Sequence, residues 1–176
     1  DLARRAAYAT PVELEERAGH AAFAVFDQQI GGISSLRPEK VGWAQGAFWR
    51  MVAAKNPHVQ PRLLLSNLNV PNAFAFPGGI VVMSDSIVDL AYNEPNGADL
   101  LCAIFAHELA HVERRHGLQL VLRHSATLVT VATITGDLST LSAFSTSLPF
   151  LLFQRGYARD FEREADLDAI ELLRAA

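Results

Sequence analysis

Leu100-Leu101-Cys102-Ala103-Ile104-Phe105-Ala106-His107-Glu108-Leu109-Ala110-His111-Val112 is apolar for seven residues and then places two histidines around a glutamate. Pro95-Asn96-Gly97 breaks the chain before it, and Gly117 follows. The segment from about Ala98 to Arg115 therefore reads as one long helix, buried nearly all round and closed by Gly117. Helical residues i and i+4 lie about 40° apart around the axis, one turn along. His107 and His111 then project to one side, and their imidazoles converge on a single point. Glu108, one residue on from His107, turns its carboxylate to the open side of that point. There it can take a proton from a water without being a ligand. Polar groups in apolar surroundings must be paired or bound to a metal, because leaving them unsatisfied costs several kcal/mol. The chain has a single cysteine, Cys102. That excludes an internal disulfide and a cysteine-based zinc cluster, so any metal is held by nitrogen and oxygen. Cys102 itself reads as a small buried apolar residue.

Two imidazoles do not close a catalytic metal site, which takes three protein ligands and keeps one position open. The third donor is expected from Phe161-Glu162-Arg163-Glu164-Ala165-Asp166. On a helix, Glu162 and Asp166 share a face, and Glu164 points elsewhere. Glu162 is the candidate third ligand. Asp166 is the candidate acceptor for the second ring nitrogen of a liganding histidine, a bond that fixes tautomer and ring orientation.

The rest of the chain supplies a frame. It has 176 residues, 50% hydrophobic and 19% charged, which suits one globular domain and excludes disorder. Fifteen basic residues against 19 acidic ones give a net charge of −4 and no electrostatic footprint for nucleic acid. The chain opens on Asp1 with no charged-then-apolar leader, from which a processed or excised fragment is expected. Residues 1–57 read as N-terminal helices. Thr10-Pro11-Val12-Glu13 looks like a capping box, Gly31-Gly32 ends the first run, and a second helix extends from Pro38 to Asn56-Pro57. Residues 58–84 hold three short apolar runs separated by turn chemistry, read as a small antiparallel three-stranded sheet. Ser84-Asp85-Ser86 opens a short helix. Residues 98–116 are the histidine helix, and 157–176 carry the acidic helix. Between them, residues 118–153 carry Arg123 and Asp137 as their only fixed charges. Neither uncharged run (125–136 or 138–153) reaches the roughly 20 residues a spanning helix needs, so a buried or interfacial helical hairpin is expected. His116 and His124 read as surface or core histidines, and His20 and His58 have no partner pattern.

Gly78-Gly79 allows a tight turn and close backbone approach. An exposed strand edge beside the metal could align an extended peptide, which makes Ala73, Phe74, Ala75, Gly78 and Gly79 candidate substrate-binding residues. Tyr157 and Arg159 are candidates for stabilising an oxyanion, although Arg159 could equally pair with Asp160 or Asp166.

Three stretches together resemble one family. Asn72-Ala73-Phe74-Ala75-Phe76-Pro77-Gly78-Gly79 is similar to its strand-turn signature, His107 to Val112 to its zinc helix, and Arg159 to Asp166 to its third-ligand helix. On these motifs, in the family's order over about residues 60 to 170, the chain resembles the gluzincin metallopeptidases of the HtpX, Oma and CaaX prenyl protease family. The closest type is the catalytic domain of bacterial envelope members. The resemblance implies an α+β fold: a mainly helical, zincin-like single domain with its small sheet beside the zinc helix. It implies one zinc ion per chain held by His107, His111 and Glu162 rather than Glu164, with Glu108 as general base. It also implies endopeptidase activity on misfolded or envelope polypeptides. The expected location is the bacterial envelope, with membrane attachment through segments outside this chain or through the 125–153 hairpin. A catalytically latent, zinc-containing chaperone or adaptor domain is the alternative. The sequence leaves the oligomeric state open.

Overall fold

A computed structural model of the chain describes residues 1–68, 70–135 and 157–176. The described elements are α1 (Leu2–Ala9), α2 (Val12–Gln29), α3 (Pro38–Lys55), β1 (Arg62–Ser66), β2 (Ala73–Ala75), a 3-10 turn (Pro77–Gly79), β3 (Ile80–Ser84), α4 (Asp85–Tyr92), α5 (Gly97–Glu113), α6 (His116–Thr135) and, last, α7 (Arg159–Ala175). The fold is α+β and mainly helical, as expected. Only α6 falls within the expected 118–153 hairpin, whose remainder from 136 lies outside the described residues. Among the described residues no helix is long and apolar enough to cross a membrane.

The three strands alternate in direction as their turns dictate, but their order is β1-β3-β2. β2 pairs antiparallel with β3 (Phe74 opposite Val82), while β1 pairs parallel with β3 (Leu64 opposite Val82). The all-antiparallel expectation is therefore corrected to a mixed sheet. The tight Pro77–Gly79 turn folds β2 onto β3, and the longer β1–β2 connection lets β3 enter between them. Two strands that both run up then become neighbours. Every residue of β3 is buried, because both faces of the sheet are covered. Val81 and Met83 face a core shared with Phe48 and Met51 of α3, Leu101, Phe105 and Leu109 of α5, and Leu172 of α7. Ile80 and Val82 face the opposite side with Phe26, Phe74 and Phe76. Those three rings meet tilted or edge-on, with centroids 5.0 to 5.7 Å apart.

Helix ends follow local chemistry with two corrections. Ser84 caps α4 by accepting from the Ile87 amide, and Asn56 ends α3 in the left-handed region at φ 48°, both as expected. Thr10, however, does not open a capping box. It closes α1, its hydroxyl donating to the Ala6 carbonyl at 2.8 Å, and Pro11 precedes α2 without a side-chain cap. Nor does Gly117 close α5. The break comes at Arg115, at φ 53°, and Gly117 lies within α6. A left-handed non-glycine residue costs about 1–2 kcal/mol. Here the guanidinium offsets it by donating to the carbonyls of Ala7 (2.7 Å) and Thr10 (2.8 Å) and by lying 3.2 Å from Glu15.

The Arg115 turn belongs to a polar knot. His58 contacts Glu113 through Nδ1 (3.3 Å) and Glu15 through Nε2 (3.4 Å), and Arg115 Nε lies 3.2 Å from both His58 Nε2 and Glu15 Oε2. Glu15 also accepts from the Gly78 amide. Hydrogen bonds that the ring donates to Glu113 and Glu15 raise the His58 pKa to about 9. A raised folded pKa contributes stability that is complete below the unfolded value near 6.5 and is lost as pH climbs toward 9. Chemical denaturation should therefore show a loss of at most about 3 kcal/mol between pH 6.5 and 9, and His58→Gln should flatten that slope. An unchanged slope in the variant would assign the loss to other groups.

Close packing fixes how α2 meets the glycine turn. A Cβ on Gly19 would lie 1.8 Å from the Pro77 carbonyl oxygen, whereas one on Gly46 meets nothing within 4 Å. Gly19→Ala should cost about 2 kcal/mol or more through overpacking, and Gly46→Ala should gain roughly 0.5–1 kcal/mol of helix propensity. Denaturant titration of the two variants reads both signs.

Candidate metal centre

α5 places His107 and His111 one turn apart, with Nε2 atoms 3.0 Å from each other. α7 packs against it and brings Glu162, whose carboxylate oxygens lie 3.3 Å from His107 Nε2 and 3.8 Å from His111 Nε2. The three side chains offer ligand atoms all within 4.8 Å of one another. Bonds of about 2.0–2.1 Å in tetrahedral geometry put neighbouring donors roughly 3.3 Å apart. Contacts of 3.0, 3.3 and 3.8 Å bracket that spacing, so this donor set fits a divalent ion.

Protonation states follow from the partners. His107 Nδ1 lies 3.0 Å from Asp166 Oδ1. An ionised carboxylate only accepts, so Nδ1 carries the proton and Nε2 presents its lone pair to the centre. Burial, and then the charges of His107 and His116, hold the His111 imidazole well below its ordinary pKa. It is thus neutral, as a ligand must be.

Glu108 is 6% exposed, and its Oε2 has no hydrogen-bond partner among the described residues. Burial first, and the Glu162 charge second, push its pKa up to about 8. Buried polar atoms without partners are rare and call for an explanation. An atom held ready for a proton supplied by something that binds here is such an explanation.

Tyr157 ties three parts of the site together. Its backbone N–H donates to Glu162 Oε1 (3.2 Å), its ring stacks on His111 at 4.0 Å, and its hydroxyl donates to the Ala75 carbonyl at 2.7 Å. Burial, and then the charges of Glu108 and Glu162, raise its pKa well above the ordinary value, so the phenol stays protonated. Arg159, by contrast, is exposed at the start of α7. Among the described residues no ion pair joins it to Asp160 or Asp166, whose carboxylate goes to His107 instead.

The strand-turn candidates divide. Ser84 N–H bonds the Asn72 carbonyl and Phe76 N–H bonds that of Ile80. Residues 72, 74 and 76 thus face β3, and the backbone groups of Ala73 and Ala75 face outward. Phe74 is buried among phenylalanine rings. Gly78 and Gly79 are buried at φ 71° and 86°, where added Cβ atoms would strike Glu16 and Val59. Those three residues form the turn and the core. Ala73 is half-buried with its backbone groups outward, whereas Ala75 is buried and its carbonyl accepts from Tyr157.

His116, read as an ordinary surface or core histidine, is completely buried, with its Nδ1 2.9 Å from His111 Nδ1. Helical spacing conceals this contact, because five residues along an unbroken helix point about 140° away. Only the left-handed turn at Arg115 brings the ring round.

Two histidines and a glutamate converging from two helices make a donor set of the two-histidine, one-carboxylate kind, able to hold a metal ion. Residues 38–176 match peptidase family M48. The chain belongs to that family, whose members are metal-dependent hydrolases of peptide bonds. It is also 35% identical over 109 residues to the mitochondrial metalloendopeptidase OMA1 of Schizosaccharomyces pombe. That match covers 60% of this chain and 30% of the relative, so the chain spans less than a third of the relative's length in alignment.

Metal analysis after dialysis should find one divalent ion per chain, and His107→Ala, His111→Ala and Glu162→Gln should each lower that content sharply. Undiminished content in the Glu162 variant would remove the carboxylate from the ligand set.

Proposed function

We propose that the chain is the catalytic domain of a zinc-dependent endopeptidase. In this reading His107, His111 and Glu162 hold the ion and Asp166 orients His107. The observation that carries it is the convergence of three donor atoms beside the unpartnered buried oxygen of Glu108. Zinc is favoured because the donors are imidazole and carboxylate, with three protein ligands and room for a fourth group. When bound, the ion supplies Lewis acidity that eases deprotonation of a water and polarises a carbonyl. Glu108 takes the proton of the attacking water and delivers it to the departing amine, two transfers by one carboxylate. Ala73 and Ala75 would align an extended polypeptide along the free edge of β2. Misfolded or envelope proteins are the proposed substrates, and the bacterial envelope, with attachment to a membrane, the proposed location.

One contact supports a second reading, a latent zinc-containing chaperone or adaptor: the Tyr157 hydroxyl already occupies the outward Ala75 carbonyl. Cleavage of unfolded casein by the zinc-loaded protein, abolished by 1,10-phenanthroline, separates the two. Glu108→Gln should retain the ion and lose at least about 100-fold in rate, the lower bound for removing a general base. A fully active Glu108→Gln variant would end the endopeptidase mechanism proposed here.

A further inference from the structure

His116 has no part in the chemistry above, yet both its ring nitrogens and one ring face are engaged. Its side chain is fully buried. Its ring lies flat on Phe161, 9° from parallel at 4.2 Å. Nδ1 lies 2.9 Å from His111 Nδ1, and Nε2 lies 3.3 Å from Glu164 Oε2. Glu164 is in turn held by Arg4 (2.6 Å) and Arg114 (3.5 Å).

The proton positions along this chain follow one from another. Glu164, held by two guanidinium groups, only accepts, so His116 Nε2 carries a proton. His116 is buried, and the one carboxylate facing it already answers two guanidinium groups, so the ring is the neutral form with a single N–H. Its Nδ1 is then an acceptor. His111 Nδ1 must be the donor, and His111 is left with its lone pair on Nε2, the atom that faces His107 and Glu162.

We propose that His116 is a positioning residue for the metal centre: backed by Glu164, it fixes the tautomer and ring plane of His111, as Asp166 does directly for His107. The proposal rests on His107, His111 and Glu162 being the ligand set. His116 touches no reacting atom. The arrangement also explains the strained backbone before it, since Arg115 at φ 53° turns the ring back toward His111. It further gives α1 a role, because Arg4 reaches Glu164 from that helix.

Zinc affinity, measured by competition with a chromophoric chelator, tests this without reference to turnover. His116→Phe keeps an aromatic ring for stacking on Phe161 but loses both nitrogens, and should weaken zinc binding 10- to 100-fold, the usual cost of removing such a support. His116→Asn, whose amide oxygen can stand where Nδ1 accepts, should recover part of that loss. Glu164→Ala, on a partly exposed helix face, should weaken binding less than His116→Phe. Long-range 1H–15N spectra of the zinc-loaded wild-type protein give an answer that needs no variant. His111 should be metallated at Nε2 and protonated at Nδ1, and His116 protonated at Nε2. Wild-type affinity in a folded His116→Phe protein, or a His116 protonated at Nδ1, would overturn the positioning role while leaving the ligand set intact. A wild-type protein that binds no zinc overturns the ligand set and this proposal together.

Discussion

The structure depends on α5 carrying ionisable side chains into a core that is otherwise apolar. His111 and Glu108 are buried on the same helix as Leu101, Phe105 and Leu109, and no burial of apolar area offsets the cost of leaving such groups unanswered. The answers come from α7, in two rows at helical spacing. Glu162 and Asp166 meet His107 and His111, while Glu164 and Asp168 meet His116 and Arg114. The Arg114–Asp168 contact is bidentate, with 2.8 and 2.7 Å bonds, and such forked pairs fix geometry as well as adding energy. It ties α7 to α5 beside the centre, together with the buried apolar residues Ala169 and Leu172.

The sheet serves the same end. With β3 buried on both faces, α5 has a rigid surface to pack on, and β2 at the edge leaves the outward backbone of Ala73 and Ala75 on the side of Tyr157. The glycine turn makes this possible by letting α2 approach the Pro77 carbonyl closely at Gly19. Its contribution is architectural, and all three residues of the turn are buried.

The features legible in the sequence were those set by local periodicity. His107 with His111, and Glu162 with Asp166, are i and i+4 pairs, and the helix rule that puts each pair on one face is insensitive to tertiary context. Ser84 and Asn56 were legible for a similar reason, since a cap is made by neighbouring backbone. The strand order was not, because turn residues specify that the chain reverses but not which strand enters between two others. Thr10 looked like the start of α2 because the pattern around Glu13 is local, but α1 claims its hydroxyl first. His116 was hidden for the opposite reason. Its contact with His111 needs a left-handed arginine, and that arginine is stable only because α1 and α2 supply carbonyls and a carboxylate from far along the chain.

The electrostatics of the centre suit a cation. Both imidazoles present lone pairs inward, Glu162 brings a negative charge, and burial, then that same charge, raise the Glu108 pKa to about 8. Among the described residues no Lys or Arg is paired with Glu162 or Asp166, although Arg4 and Arg114 crowd around Glu164 a few ångströms along the helix. A bound divalent cation is the largest charge in any such site and reverses the local pKa ordering. It would stabilise Glu162, relieve the opposed lone pairs, and return Glu108 to the carboxylate form that a general base requires. The features that cost stability as a purely protein core (converging lone pairs, a buried acid, an unpartnered oxygen) are therefore what a divalent ion and a peptide substrate would each satisfy.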